Sequence, residues 1–214
     1  MIRKYVKYFM VFIESACCIL LLTLQGNSET MKQQEKMVID FNNTDEIENW
    51  RIVNDGVMGG LSKSEIVLSD ENTAIFQGTV SLEHYGGFAS TRAISHDYKL
   101  HGYTGLLVRI KGDGRRYQLR IRTDDRFDGV SYRTHVDINA DSWMTIRIPF
   151  ADFVPVFRGR IVKDAPPISP ENIHQIGFLI ADKQAGDFRF EIDWIQAYNR
   201  ERVSSDILHP FEAF

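Results

Sequence analysis

Arg116-Tyr117-Gln118-Leu119-Arg120-Ile121-Arg122-Thr123 alternates without a break. Tyr117, Leu119 and Ile121 share one side, and Arg116, Gln118, Arg120 and Arg122 share the other. A period of two is the side-chain repeat of a strand, and a strand with one apolar face is half buried. The same repeat extends outward in both directions. Leu106, Val108 and Ile110 oppose Arg109 and Lys111. Val130, Tyr132, Thr134 and Val136 oppose Ser131, Arg133 and His135, and Met144, Ile146 and Ile148 oppose Thr145 and Arg147. Residues 173–180 are almost continuously apolar, which suits a central strand, and 188–198 place Phe188, Phe190, Ile192 and Trp194 on one face. Towards the N-terminus, 38–41 reads as a first strand. Residues 64–68 and 73–76 read as a hairpin about Ser69-Asp70-Glu71-Asn72, and 79–82 and 88–93 flank a Gly86-Gly87 break. Lys111-Gly112-Asp113-Gly114-Arg115 reads as a hairpin turn with Asp113-Gly114 at its tip. The one long irregular connection is 154–171, and no long amphipathic helix precedes residue 199. About ten short strands with one buried face each imply an all-β, jelly-roll β-sandwich of antiparallel sheets.

At 214 residues, 43% hydrophobic and 25% charged, the chain is long enough for one such domain with a sizeable core. Residues 1–26 read as a separate leader: a basic start precedes an apolar run interrupted by Glu14, the layout of an export signal or short anchor. Residues 27–36 read as a polar linker, 37–198 as the sandwich and 199–214 as a C-terminal tail. A true leader places the protein in a bacterial cell envelope, with possible membrane association at the N-terminus. A start at Met31 places it inside the cell. The leader lacks the amphipathic, Arg-rich character of a mitochondrial presequence.

The formal net charge is −4, and with the leader contributing +2 the remainder carries −6. That argues against nucleic acid, whose binding rests on neutralising phosphates. The six histidines show no ligand spacing, and both cysteines fall in the leader, so no zinc site is called for. Asp124, Asp125 and Asp128 could hold a structural calcium, but solvated turn acids explain them more simply. No Gly-x-Ser-x-Gly elbow, Walker spacing or dinucleotide fingerprint appears, so no catalytic residue, metal or cofactor is assigned and no enzyme is expected. Arg109, Arg120, Arg122, Arg133 and Arg147 fall on the polar sides of strands, and would form an arginine stripe if those strands shared a sheet. Trp50, Trp143 and Trp194 are expected to pack in the core, with Tyr85 and Tyr103 exposed.

The most unusual stretch is Trp50-Arg51-Ile52-Val53-Asn54-Asp55-Gly56-Val57-Met58-Gly59-Gly60-Leu61-Ser62. Three glycines in five positions belong where the backbone turns or another group comes close. Asn54 and Asp55 suit the same turn, and the Val57-Met58 pair is expected to tuck beneath it. Further motifs follow in order: Phe76-Gln77-Gly78, then Gly86-Gly87-Phe88-Ala89-Ser90 with Arg92, then Lys111 to Arg115 with Tyr117. After these come Ile148-Pro149-Phe150, Phe157-Arg158-Gly159-Arg160 and Asp182-Lys183-Gln184-Ala185-Gly186-Asp187-Phe188. Together these resemble the family named for the complex I intermediate-associated protein of thirty kilodaltons, over roughly residues 38–198. The resemblance implies a galactose-binding-domain-like sandwich. It also implies a non-catalytic binding or assembly role, holding subunits or intermediates of respiratory NADH dehydrogenase in a chaperone-like way.

The expected contact surface joins three turns. The first contributes Asn54, Asp55, Gly56, Met58, Gly59, Gly60 and Ser62, the second Gly86, Gly87, Phe88 and Arg92, and the third Phe157, Arg158, Gly159 and Arg160. The alternative is an exported carbohydrate- or envelope-binding module, since sandwiches of this class often bind sugars.

Overall fold

The computed structural model describes residues 34–126 and 128–199. The leader, most of the linker and all of the tail beyond Asn199 lie outside the described residues. The alternating stretch at 116–123 forms a strand over Arg116–Arg122, with Tyr117, Leu119 and Ile121 wholly buried and Arg120 and Arg122 turned away from them. In chain order the strands are β1 Glu35–Asp40, β2 Trp50–Ile52, β3 Lys63–Leu68, β4 Ala74–Val80, β5 Ala89–Ala93, β6 Gly105–Lys111 and β7 Arg116–Arg122. They continue with β8 Ser131–Asp137, β9 Met144–Pro149, β10 Val154–Phe157, β11 Arg160–Ile161, β12 Gln175–Ile180 and β13 Gly186–Tyr198.

These strands make two antiparallel sheets. Sheet I runs β3-β4-β13-β6-β9, with β1 also paired to β13; sheet II runs β11-β10-β8-β7-β12-β5-β2. β12 is buried at every position and lies between β7 and β5, as its continuous apolar run predicts. The β3–β4 hairpin forms about Ser69–Asn72. Alternation thus specifies a two-layer sandwich, since each sheet has one apolar face to bury.

The core is an aromatic chain that crosses between the layers. Phe76 and Phe190 of sheet I meet at 5.5 Å, Phe190 meets Tyr117 and Phe178 of sheet II at 4.5 and 5.2 Å, and Phe178 stacks on Trp50 at 6.3 Å. Most of these contacts are edge-to-face, the arrangement the ring quadrupole favours.

Four expectations change. Lys111 to Arg115 is a turn, with Gly114 at φ +84°, but not a hairpin: β6 belongs to sheet I and β7 to sheet II, so the turn carries the chain between layers. Asp113 serves both sides, accepting from Tyr117 Oη at 2.8 Å and from the Arg189 backbone at 2.9 Å. Secondly, β13 carries a bulge at Asp193, where its register against β6 slips between Ile192 and Trp194. The bulge turns Trp194 outward and brings Ile195 and Ala197 into the core. Thirdly, Trp143 is only half buried, lying under the cations of Arg109 and Lys111 at 5.3 and 5.1 Å, and Tyr103 packs partly against the core. Of the three tryptophans only Trp50 is a core residue. Finally, the 154–171 connection begins with a hairpin, β10–β11. Its central Arg158 and Gly159 both have positive φ, the pattern of a type I′ turn.

Candidate functional site

Asn54 and Asp55 tie the glycine loop to the rest of the domain. Asp55 opens a 3-10 turn over Asp55–Met58 that ends at Gly59 in the left-handed region, φ +91°. Its carboxylate is wholly buried and accepts four hydrogen bonds: the Ser62 backbone at 3.0 Å, Ser62 Oγ at 2.5 Å, and the Gly87 and Phe88 backbones at 2.6 and 3.2 Å. Burial raises its pKa, but these donors outweigh burial and hold the carboxyl below the ordinary 3.8. Asn54 Oδ1 accepts from Ser64 Oγ at 2.8 Å and the Ser90 backbone at 3.2 Å. The glycines make room for this knot. A Cβ at Gly60 would sit 2.4 Å from the Asp55 carboxyl carbon, and one at Gly86 would sit 2.6 Å from Asp55 Oδ2. The tucked group is therefore the carboxylate. Val57 and Met58, expected beneath the loop, are instead 65% and 60% exposed.

Those two side chains rim a groove of about 660 Å³ on the outer face of sheet II. The register lays a row across that face: Arg51 of β2 opposite Arg92 of β5, Arg92 opposite Gly177 of β12, Gly177 opposite Arg120 of β7, and Arg120 opposite Arg133 of β8. A Cβ at Gly177 would meet that of Arg92 at 2.7 Å, so glycine is needed where the arginine stems converge. Among the described residues the groove lining holds five arginines (92, 120, 122, 133 and 158) against two aspartates, Asp128 and Asp182. Both acids are engaged already. Asp128 binds Arg158 at 2.6 Å, and Asp182 takes Gln118 Nε2 at 3.1 Å and lies 3.3 Å from His135 Nε2.

Burial is what shifts these guanidinium groups most. Burial, then Arg122 and Arg133, pushes Arg120 down to about 10. Burial also lowers Arg92, with Arg122 adding to it, and lowers Arg122. All remain cationic at neutral pH, so the charge is kept at a desolvation cost, to which neighbouring guanidinium groups add for Arg120 and Arg92. Arg120 is held by Gln118 Oε1 at 2.9 Å and Arg122 by the Gly129 carbonyl at 3.2 Å; neither has a carboxylate within 4 Å among the described residues. Arg133 Nη1 reaches His135 at 2.9 Å, while its Nε and the Oε1 of buried Gln175 have no partner.

The three expected turns divide between knot and groove. Met58, Phe88, Arg92, Arg158 and Gly159 line the groove. Asn54, Asp55, Gly60, Ser62, Gly86 and Gly87 form or surround the knot, while Gly56 and Gly59 shape the turn before it. Phe157 and Arg160 pair across the β10–β11 hairpin and are not part of the lining. The arginine stripe also divides: Arg120, Arg122 and Arg133 lie on sheet II, whereas Arg109 and Arg147 belong to β6 and β9 of sheet I. Gln118 and Gln175 went unsingled in the sequence; the signal was a glutamine inside or beside a strongly apolar run. Asp124, Asp125 and Asp128 engage Arg126, Ser95 and Arg158 separately.

This architecture defines a two-layer antiparallel β-sandwich, a fold it shares with solved carbohydrate-binding modules. The family 11 carbohydrate-binding module of the cellulosomal cellulase Lic26A-Cel5E of Clostridium thermocellum aligns with a TM-score of 0.61 at 21% identity, over 79% of this chain and 98% of that one. A family 11 module from the same organism, in complex with a β-1,3-1,4-mixed-linked tetrasaccharide, aligns with a TM-score of 0.59 at 22% identity, over 77% and 95%. At such identities the likeness is one of fold. The chain belongs to the Complex I intermediate-associated protein 30 (CIA30) family, whose model matches residues 39–192. The mitochondrial Complex I intermediate-associated protein 30 of Mus musculus is 28% identical over 193 residues, covering 79% of this chain and 58% of its own length. The probable mitochondrial counterpart of Caenorhabditis elegans is 28% identical over 180 residues, covering 74% and 53%. The chain thus spans a little over half the length of these relatives.

Proposed function

We propose that this chain is a non-catalytic assembly module that holds protein subunits or intermediates of respiratory complex I, with the groove of sheet II and its rim as the contact face. Family membership across 39–192 supports the complex I connection, and that span contains every groove-lining residue. The observation that carries the choice of face is the convergence of residues from three separated turns, Met58, Phe88 and Arg158, on one groove. Loops on a rigid sheet make a preformed recognition surface, and exposed aliphatic side chains beside cations suit a protein partner. The alternative of a carbohydrate- or envelope-binding module rests on shared fold, which does not specify a ligand.

The test is affinity capture from detergent extracts of respiratory membranes, comparing the full chain with the double variant Arg158→Glu, Arg160→Glu. The expected result is enrichment of complex I subunits over those of other respiratory complexes, lost in the double variant at an unchanged melting temperature. Undiminished capture by the folded double variant overturns this choice of face, and no enrichment by the wild type overturns the assembly reading.

A further inference from the structure

We propose that the groove of sheet II seats an extended acidic segment of a partner polypeptide, its carboxylates against Arg120, Arg122 and Arg133 and its flanking apolar side chains against Val57 and Met58. This rests on the protein-holding reading above and names the chemistry of what is held.

Three independent features lead there. The first is charge: among the described residues Arg120, Arg122 and Arg133 line the groove with no carboxylate within ion-pair distance, on a domain whose overall balance is acidic, and the two lining aspartates are already engaged. Like charges directly opposite across strands are destabilising, so Arg120 facing Arg133 is a strained arrangement unless an anion joins it. Guanidinium forks match carboxylates bidentately.

The second is the pair of orphan polar atoms. Gln175 is 8% exposed, and its Oε1 accepts nothing; Arg133 Nε donates to nothing. Buried unpaired groups cost free energy, and both residues line the groove. A polypeptide supplies a backbone N–H for the one and a carboxylate or carbonyl oxygen for the other.

The third is the rim. Val57 and Met58 are exposed aliphatic side chains, and among the described lining residues the rings are half-buried Phe88 and core Phe178, with no indole or phenol. Saccharides are gripped by stacking on well-exposed rings, whereas aliphatic side chains beside cations suit acidic residues interspersed with leucine or valine. The volume of about 660 Å³ accommodates a few residues.

The experiment is fluorescence anisotropy on the full chain with a labelled, short, extended Glu/Leu peptide. Its Gln/Leu counterpart and an oligogalacturonate are run beside it. The variants are Arg133→Met, Gln175→Leu and, on sheet I, Arg109→Met. The Glu/Leu peptide is expected to bind, to weaken as salt rises, and to bind about tenfold more weakly to Arg133→Met and Gln175→Leu but not to Arg109→Met.

The same two groove variants are expected to melt about 2–6 °C higher than wild type, because each removes an unpaired buried group kept for binding. A purely structural role would lower the melting temperature instead. Equal peptide affinity in the groove variants, failure of the Glu/Leu peptide to bind, or preference for oligogalacturonate overturns the proposal. The two readings fail separately. Peptide binding without subunit capture removes the complex I role alone, and subunit capture that survives Arg133→Met removes the acidic-segment inference alone.

Discussion

At the scale of single residues, Asp55 is the centre of the glycine-rich loop, and Gly60 and Gly86 beside it are small because its carboxylate occupies their side-chain space. Asp55→Asn keeps the shape but replaces an ionic acceptor by a neutral amide that turns one N–H₂ towards donors. Charged hydrogen bonds contribute about 1.5–3 kcal/mol each, so a loss of about 3 kcal/mol is expected in urea unfolding at neutral pH. The pH dependence has a definite sign. The folded-state pKa lies below the ordinary 3.8, so Asp55 adds stability above that value and loses it as pH falls through the folded-state pKa. The gap between wild type and Asp55→Asn should therefore narrow once pH drops below about 3.8. Gly60→Ala and Gly86→Ala, each driven into the Asp55 side chain, should cost about 2 kcal/mol or more. Gly56→Ala, with nothing within 4 Å, should stay within about 0.5 kcal/mol of wild type. The three glycines and the Asn-Asp pair were legible as a turn from their residue types alone. That the turn encloses a carboxylate was not, because its donors at Gly87 and Phe88 are more than thirty positions away.

At the scale of elements, alternation located the strands because a half-buried strand must repeat every two residues. It failed where the repeat is interrupted. β13 reads as one unbroken face through Trp194, but the bulge at Asp193 shifts the phase, and Arg109 pairs with the bulged carboxylate at 2.7 Å. Deleting Asp193 would remove the extra residue and leave Ile192, Ile195 and Ala197 opposite Ile110, Val108 and Leu106, still facing the core. The lost interaction is the partly exposed Arg109–Asp193 pair, so a loss of about 1 kcal/mol or less, seen as a small shift of the urea midpoint, is the expected outcome. A deletion variant with a much lower urea midpoint would show that the bulge itself stabilises β13. The Asp113-Gly114 turn shows the same limit. Its residue types demand a tight turn, yet hairpins and inter-sheet crossings use the same backbone, and which of them forms depends on the neighbours each strand finds.

At the scale of the whole molecule, the two sheets are joined by the aromatic chain through Phe190 and pinned beside it by Asp113. Tyr117 of sheet II and the Arg189 backbone of sheet I both donate to Asp113 Oδ2. Tyr117→Phe should cost about 1–2 kcal/mol and Asp113→Ala about 2–3. Their effects should be less than additive in a double-mutant cycle, since each removes the shared hydrogen bond. Full additivity would mean that the bond contributes nothing to sheet-on-sheet docking. The groove belongs to this scale as well. Of five arginines on polar strand faces, three gather on sheet II and two go to sheet I, while Arg92 and Arg158 arrive from turns read for other reasons.

By itself, the amino-acid sequence determined the strands, the all-β class, the inward set of side chains, the tight turns and the family. These follow from local periodicity, backbone sterics and motif order, all of which are properties of neighbours along the chain. Tertiary structure alone decided which strands share a sheet, where the phase of β13 slips, that Asp55 rather than Val57 and Met58 is enclosed, and that arginines from three strands and a hairpin face one groove. Those outcomes depend on pairings between residues tens of positions apart, and no local repeat encodes which of several compatible partners a strand will take.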